Sequence, residues 1–158
     1  MRKPRYLYHG SSKRVNILMP QLADDWRFEA GRHFGVYATS NRDLALAFAL
    51  GCVPDETGTC HRIIREKDRK PFKMTFVRGH PKFGSKGYLY KLSSRGFHHV
   101  GGDQWVCENP VKPIKITEIN VSDYLHLIRY ATLKERCEIE RAFRKQIKRS
   151  KENKINKW

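Results

Sequence analysis

The residues of this chain that invite a chemical reading lie in three separate places. The first is Tyr8-His9-Gly10-Ser11, where a histidine closes an aromatic stretch and is followed by glycine. The second is Gly35-Val36-Tyr37-Ala38-Thr39, which runs into an apolar segment holding Phe48. The third is Asp103-Gln104-Trp105-Val106. Each has an ordinary explanation when taken alone. His9 is a strand-end histidine with a backbone partner, Tyr37 and Phe48 are core aromatics, and Gln104 is a solvent-facing strand residue. Taken together they supply a histidine, a backbone position without Cβ, two flat aromatic faces and a polar strand residue. A metal centre is not expected, because Cys60-His61 and His98-His99 fit none of the usual ligand spacings.

Periodicity and punctuation place these residues on elements. Tyr6 to His9 reads as a strand ended by Gly10-Ser11-Ser12, and Phe34 to Thr39 as a second strand. Ser40 or Asn41 then caps a helix with Asp43 in its first turn. Leu44, Ala45, Ala47, Phe48 and Leu50 follow at helical spacing before Gly51. Further strands are expected at Phe72 to Arg78, Tyr88 to Leu92, Gln104 to Cys107 and Ile114 to Ile119. Gln21 to His33, with Trp26 and Phe28, reads as a loop. Cys52 to Lys73 reads as a charged surface loop, and Ser93 to Gly102 as a connection. Ser122 is the expected cap of a long C-terminal helix with Leu125, Ile128, Thr132, Ile139, Phe143 and Ile147 on its apolar stripe. The class is therefore α+β, a small antiparallel or mixed sheet assembly with helices outside it. Residues 1–121 form the domain, and 122–158 a basic C-terminal helix and tail.

Charge narrows the partners. The 158 residues include 32 Lys and Arg against 16 Asp and Glu, a formal net charge of +16. A field of this size attracts polyanions, of which RNA is the leading choice. Arg62, Arg65, Lys67, Arg69, Lys70, Lys86, Arg95, His98 and His99 are the candidate nucleic-acid contacts, and the tail from Arg141 to Lys157 extends the track. Phe83, Tyr88, Tyr90, Phe97 and Trp105 interleave with the charge and offer stacking surfaces. The plain alternative is a solvated basic surface over sheet-core aromatics. The four cysteines show no C-x-x-C pair. The chain has no apolar leader and no run of the ~18 apolar residues that a membrane helix needs. A cytoplasmic protein with reduced thiols and no membrane partner is expected.

The ordered set of His-Gly after an aromatic strand, Gly-x-Tyr before a capped helix, and a polar late strand resembles the ADP-ribosyltransferase superfamily. The branch is the His-Tyr-Glu one of diphtheria toxin and the poly(ADP-ribose) polymerases, and the likeness spans Tyr6 to Ile119. It implies a split β-sheet core with flanking helices, NAD⁺ as the second substrate, and release of nicotinamide through an oxocarbenium-like state. By that resemblance His9, Tyr37 and Gln104 are the catalytic set, and His9 donates to a ribose hydroxyl. Gly10, Ser11 and Ala38 belong to the NAD-binding surface, where Gly10 pairs with the nicotinamide amide and Tyr37 and Phe48 sandwich its ring. This chain departs from the pattern twice. Ala45 stands where a helix serine is frequent, and Gln104 stands where active members carry Glu. Three readings of Gln104 stay open: a natural variant sufficient for one transfer, an inactivating substitution, or a shifted alignment in which Asp103 or Glu108 is the carboxylate. Small members of the superfamily are often toxins, some acting on RNA and met by an acidic antitoxin. The resemblance and the charge together lead us to expect a toxin or defence effector that ADP-ribosylates nucleic acid. Transfer to protein, an RNA 2′-phosphotransferase, and an inactive basic RNA-binding module are the alternatives.

Overall fold

The structure, a computed structural model, describes residues 2–22, 33–64 and 74–155, with side chains described as far as Lys148. The described residues form a larger sheet and a smaller one, with few helices. Strand β1 (Tyr6–Ser11) comes first, then β2 (Gln21–Leu22) and β3 (Phe34–Thr39). Helix α1 (Arg42–Ala49) follows, then β4 (His61–Ile64), β5 (Met74–Arg78) and β6 (Lys86–Ser93). β7 (His98–Gly101), β8 (Gln104–Cys107) and β9 (Lys115–Asn120) precede a 3₁₀ helix over Val121–Leu127. The chain closes with β10 (Ile128–Tyr130) and α2 (Leu133–Ile155). The larger sheet is antiparallel, in the order β7-β8-β3-β1-β6-β9, with β2 also paired to β3. The smaller is β10-β5-β4, in which β10 runs parallel to β5.

The expected strands at the three motifs are all present. Three loop expectations need correction, the first at Gln21–Leu22, which pairs as β2 with Phe34 and Gly35 of β3. Ser93 to Gly102 is not merely a connection: His98–Gly101 is an edge strand on β8, closed by a turn in which Gly102 takes φ +53°. Cys52 to Lys73 is not wholly a loop either, since the β-branched pair Ile63-Ile64 carries β4 alongside β5. Phe72, Trp26 and Phe28 lie outside the described residues.

Helix α1 is packed between the two sheets. Asn41 caps it, its Oδ1 accepting from the backbone N–H of Asp43 at 3.0 Å and of Leu44 at 3.3 Å. One side of α1 rests on β1 and β6 at glycines. A Cβ on Gly10 would lie 1.7 Å from the Ala45 carbonyl oxygen, and one on Gly87 would lie 2.1 Å from that of Ala49. The other side joins Met74, Phe76, Ile119 and Val121 through Leu46, Ala47, Ala49 and Leu50 in one buried cluster. A second cluster covers the opposite face of the large sheet, with Leu7, Val36, Ala38, Tyr90, Leu92 and Trp105 at its centre.

The C-terminal helix begins eleven residues later than Ser122, at Leu133. Ser122 sits in the 3₁₀ helix, and Ile128–Tyr130 is drawn into the small sheet by pairing with Met74–Phe76. The true start is a capping box. Glu135 N–H donates to Thr132 Oγ1 at 3.3 Å, and Thr132 N–H donates to the Glu135 carboxylate at 2.9 Å. The Arg129 guanidinium grips the same carboxylate with two bonds of 3.0 Å. Contacts also cross the expected boundary between 1–121 and 122–158. Arg78 of β5 bonds Glu140 of α2 at 2.6 Å and Asp55 at 3.0 Å. Cys52 and Cys60 are brought side by side, with Cα atoms 6.2 Å apart. Cys107 and Cys137 are free.

Candidate active site

β1 and β3 lie side by side but stay paired only briefly. Tyr8 and Thr39 are register partners, whereas β1 follows β6 for its whole length from Tyr6 to Ser11. Beyond Tyr8 the contact between β1 and β3 passes to a side chain. His9 Nδ1 lies 2.7 Å from the Tyr37 carbonyl oxygen. A carbonyl only accepts, so Nδ1 carries the hydrogen. Burial lowers the His9 pKa, and the bond to Tyr37 opposes that shift only in part. The ring is accordingly neutral at pH 7, and its Nε2 is a hydrogen-bond acceptor. In this tautomer Nε2 can accept from a hydroxyl and cannot donate to one, the reverse of the direction the resemblance implied.

Tyr37 occupies the middle of β3, opposite Val106 of β8. Its hydroxyl accepts from the His33 N–H at 2.8 Å and donates to the His33 carbonyl at 3.0 Å. Gln104 opens β8 opposite Thr39, so β1, β3 and β8 carry the three motif residues on neighbouring strands. The Gln104 side-chain oxygen is buried with no hydrogen-bond partner among the described residues. An unsatisfied buried acceptor costs about 1–3 kcal/mol, which makes it a place where a hydroxyl donor would be bound favourably. Of the two alternative carboxylates, Asp103 faces Ser40, whose N–H reaches its carbonyl at 3.3 Å and whose hydroxyl lies 3.4 Å from its carboxylate. Glu108 is exposed, just past the far end of β8.

The remaining expected residues fall less evenly. Phe48 is half-exposed on α1, with the Arg62 guanidinium 5.1 Å above its ring. Gly10 is explained by the α1 backbone that fills the space of its missing Cβ, not by a ligand. Ser11 accepts from the Lys13 N–H at 3.1 Å and closes the turn after β1. The Ala38 side chain is buried in the core cluster. Arg62 points inward. Its Nη1 donates to the carbonyls of Gly51 at 2.7 Å and Ala47 at 3.2 Å, and burial pulls its pKa down to about 10. It caps the end of α1 and is withdrawn from any phosphate track. Lys86 is paired with Glu118 across β6 and β9. Arg95 is exposed, His98 meets the His33 ring edge-on at 6.3 Å, and His99 lies 2.7 Å from the Gly102 carbonyl and 5.1 Å from the Trp105 ring. Arg65, Lys67, Arg69 and Lys70 lie outside the described residues.

One residue of the site, His33, escaped the sequence reading, and another, Tyr90, was read only as a stacking surface. His33 precedes β3 in a segment read as loop, and nothing in its neighbours signals that its backbone clasps Tyr37. Tyr90 lies 5.8 Å from the His9 ring, and its hydroxyl holds the loop after β1 through the Lys13 carbonyl at 2.8 Å and the Val15 N–H at 2.9 Å. Alternation along β6 was the available signal for Tyr90. Among the described residues no helix is long and apolar enough to cross a membrane. Comparison with known proteins returns no match to a family model, to a curated protein or to a solved structure.

Proposed function

We propose that this protein is an NAD⁺-dependent ADP-ribosyltransferase whose acceptor is a nucleic acid, RNA foremost. One observation carries the reading. His9, Tyr37 and Gln104, remote in sequence, stand on three adjacent strands at the point where β1 and β3 part, and Gln104 offers a buried acceptor with no partner. That parted pair is the feature that matches the split sheet implied by the resemblance. NAD⁺ supplies an ADP-ribose group joined to a neutral leaving group, nicotinamide. The chain's part is to bind and orient. His9 Nε2 and the Gln104 oxygen accept from hydroxyls, and the Tyr37 ring, fixed through His33, presents a face for stacking. In the transfer the nicotinamide–ribose bond breaks, the acceptor oxygen or nitrogen bonds the same carbon, and the acceptor proton leaves to solvent.

Gln104 limits this chemistry. A neutral amide holds a hydroxyl but neither carries negative charge nor takes the acceptor proton. The reading therefore favours slow transfer to an acceptor that is already nucleophilic. The test uses NAD⁺ labelled in the adenylate, with total RNA, DNA and cell lysate as acceptors. Label is expected in RNA. Label confined to protein would remove the nucleic-acid acceptor, and a cyclic phosphate product would point to a 2′-phosphotransferase. No nicotinamide release from either this chain or Gln104→Glu would remove the enzyme reading and leave a basic binding module.

A further inference from the structure

The cations of α2 divide by face. Inward, His61 and Phe143 stack at 5.3 Å, and Glu140 is held by Arg78. From Arg141 to Lys148 the helix carries four cations and no acid. Arg141, Arg144, Lys145 and Lys148 are all exposed. Their spacing of three, four and seven residues places them within an arc of about 100°, opposite Phe143 and Ile147. Arg144 approaches Glu140 at 3.9 Å, and the other three make no ion pair among the described residues. With Cys137 and Glu140 these four line a groove of about 460 Å³. Arg149, Lys151 and Lys154 continue the basic run in sequence while the backbone stays helical to Ile155.

We infer that this face of α2 is the surface that grips the sugar-phosphate backbone of the nucleic acid, without reading its bases. The chemistry of the stripe selects that partner. It presents four charges along about 10 Å of helix, matching a chain of phosphates. It has no aromatic side chain to stack a base and no large apolar side chain to enter a lipid layer or anchor a protein hot spot. Elsewhere among the described cations, Arg62 faces inward and Lys86 is paired with Glu118. The inference rests on the nucleic-acid part of the proposed function and is independent of NAD⁺.

The test measures binding of a fluorescent 20-nucleotide RNA between 50 and 200 mM KCl, for the full chain and for the combined variant R141A/R144A/K145A/K148A. Removing four cations that each neutralise a phosphate of a single strand makes the slope of log K against log salt shallower by about 2.8. Across the fourfold rise in salt, the affinity of the unmodified protein then falls about 50-fold more than that of the variant. Oligo-U and oligo-A should bind alike. An unchanged slope in a folded variant overturns the inference, as does tighter binding to phosphatidylserine vesicles or to polyglutamate than to RNA. Should the combined variant fail to fold, Lys145→Gln and Lys148→Gln are each expected to reduce the slope by about 0.7. Failure of NAD⁺ turnover with RNA binding intact would remove the enzyme reading alone, whereas turnover with an unaltered slope would remove this surface alone.

Discussion

Replacing Arg62 by Met separates the structural use of a cation from the binding use that its sequence neighbourhood suggests. In the folded protein its Nη1 bridges the carbonyls of Ala47 and Gly51 at the end of α1, 3.2 and 2.7 Å away. Those groups are the orphan acceptors of a helix C-terminus, where a cation also meets the negative end of the helix dipole. A hydrogen bond from a charged donor contributes about 1.5–3 kcal/mol, and both bonds here share one nitrogen, so they do not simply add. Contact with the Phe48 ring adds about 0.5–1 kcal/mol. Against this stands the burial cost that pulls the Arg62 pKa to about 10. The net loss in Arg62→Met is expected near 3 kcal/mol, since Met keeps the apolar stem and abandons the carbonyls. For a chain of this size that is a fall of roughly 6–12 °C in Tm. Thermal and urea unfolding would be followed beside Arg95→Met, an exposed control. A loss under about 0.5 kcal/mol, or a drop in RNA affinity at unchanged stability, would refute the capping argument.

Gln104→Glu should raise nicotinamide release at least about tenfold while lowering stability by about 1–3 kcal/mol, because it adds a carboxylate where an acceptor is already buried without a partner; unaltered release would remove Gln104 from the site. Gly10→Ala should cost about 3 kcal/mol or more, measured by urea unfolding, since its Cβ would meet the Ala45 carbonyl oxygen at 1.7 Å and α1 would have to move. Tyr37→Ala should abolish NAD⁺ turnover with little change in fold by circular dichroism, and retained turnover would sink the assignment. His9 has a lowered folded pKa, so its effect on stability is absent above the ordinary value of 6.5 and destabilises progressively as pH falls below it, where the unfolded chain takes a proton that the folded one resists. In His9→Gln the decline should begin only near pH 4.5, where the unfolded chain starts to protonate carboxylates that Arg129 and Arg78 keep ionised at Glu135 and Glu140 in the fold.

The local architecture of the motifs was legible because it obeys short-range rules. Asn41 and Asp43 mark the start of α1, and alternation marks β3, β8 and β9. What was illegible depended on partners far along the chain. Ile128–Tyr130 fits a helical stripe as well as a strand, and only its pairing with Met74–Phe76 decides the matter. The cap Thr132-x-x-Glu135 was present in the sequence, but Ser122 offered an earlier start on the same apolar periodicity. Cys52 and Cys60 follow no standard spacing, and the fold brings them together by folding β4 back beside α1. Charge was the least legible of all. Composition counts Arg62, Lys86 and Lys148 alike, whereas the fold caps a helix with the first, pairs the second and exposes the third.

The candidate site and the core depend on the same few atoms. Helix α1 lies close to β1 because Gly10 has no side chain, and that approach places the helix over the strand that carries His9. β1 then holds to β6 throughout and leaves β3 after Tyr8, so the imidazole of His9 takes the Tyr37 carbonyl that a ladder partner would otherwise take. A ring engaged through Nδ1 and kept neutral by burial has one acceptor left to offer, Nε2. Across β3, Gln104 offers another acceptor, which nothing among the described residues satisfies. On the proposed reading, acceptors on β1 and β8 suit a ligand rich in hydroxyl donors and offer no charge to an anionic group. On the same reading the phosphates of a nucleic-acid acceptor call for cations elsewhere, and the exposed cations of α2 are available for them.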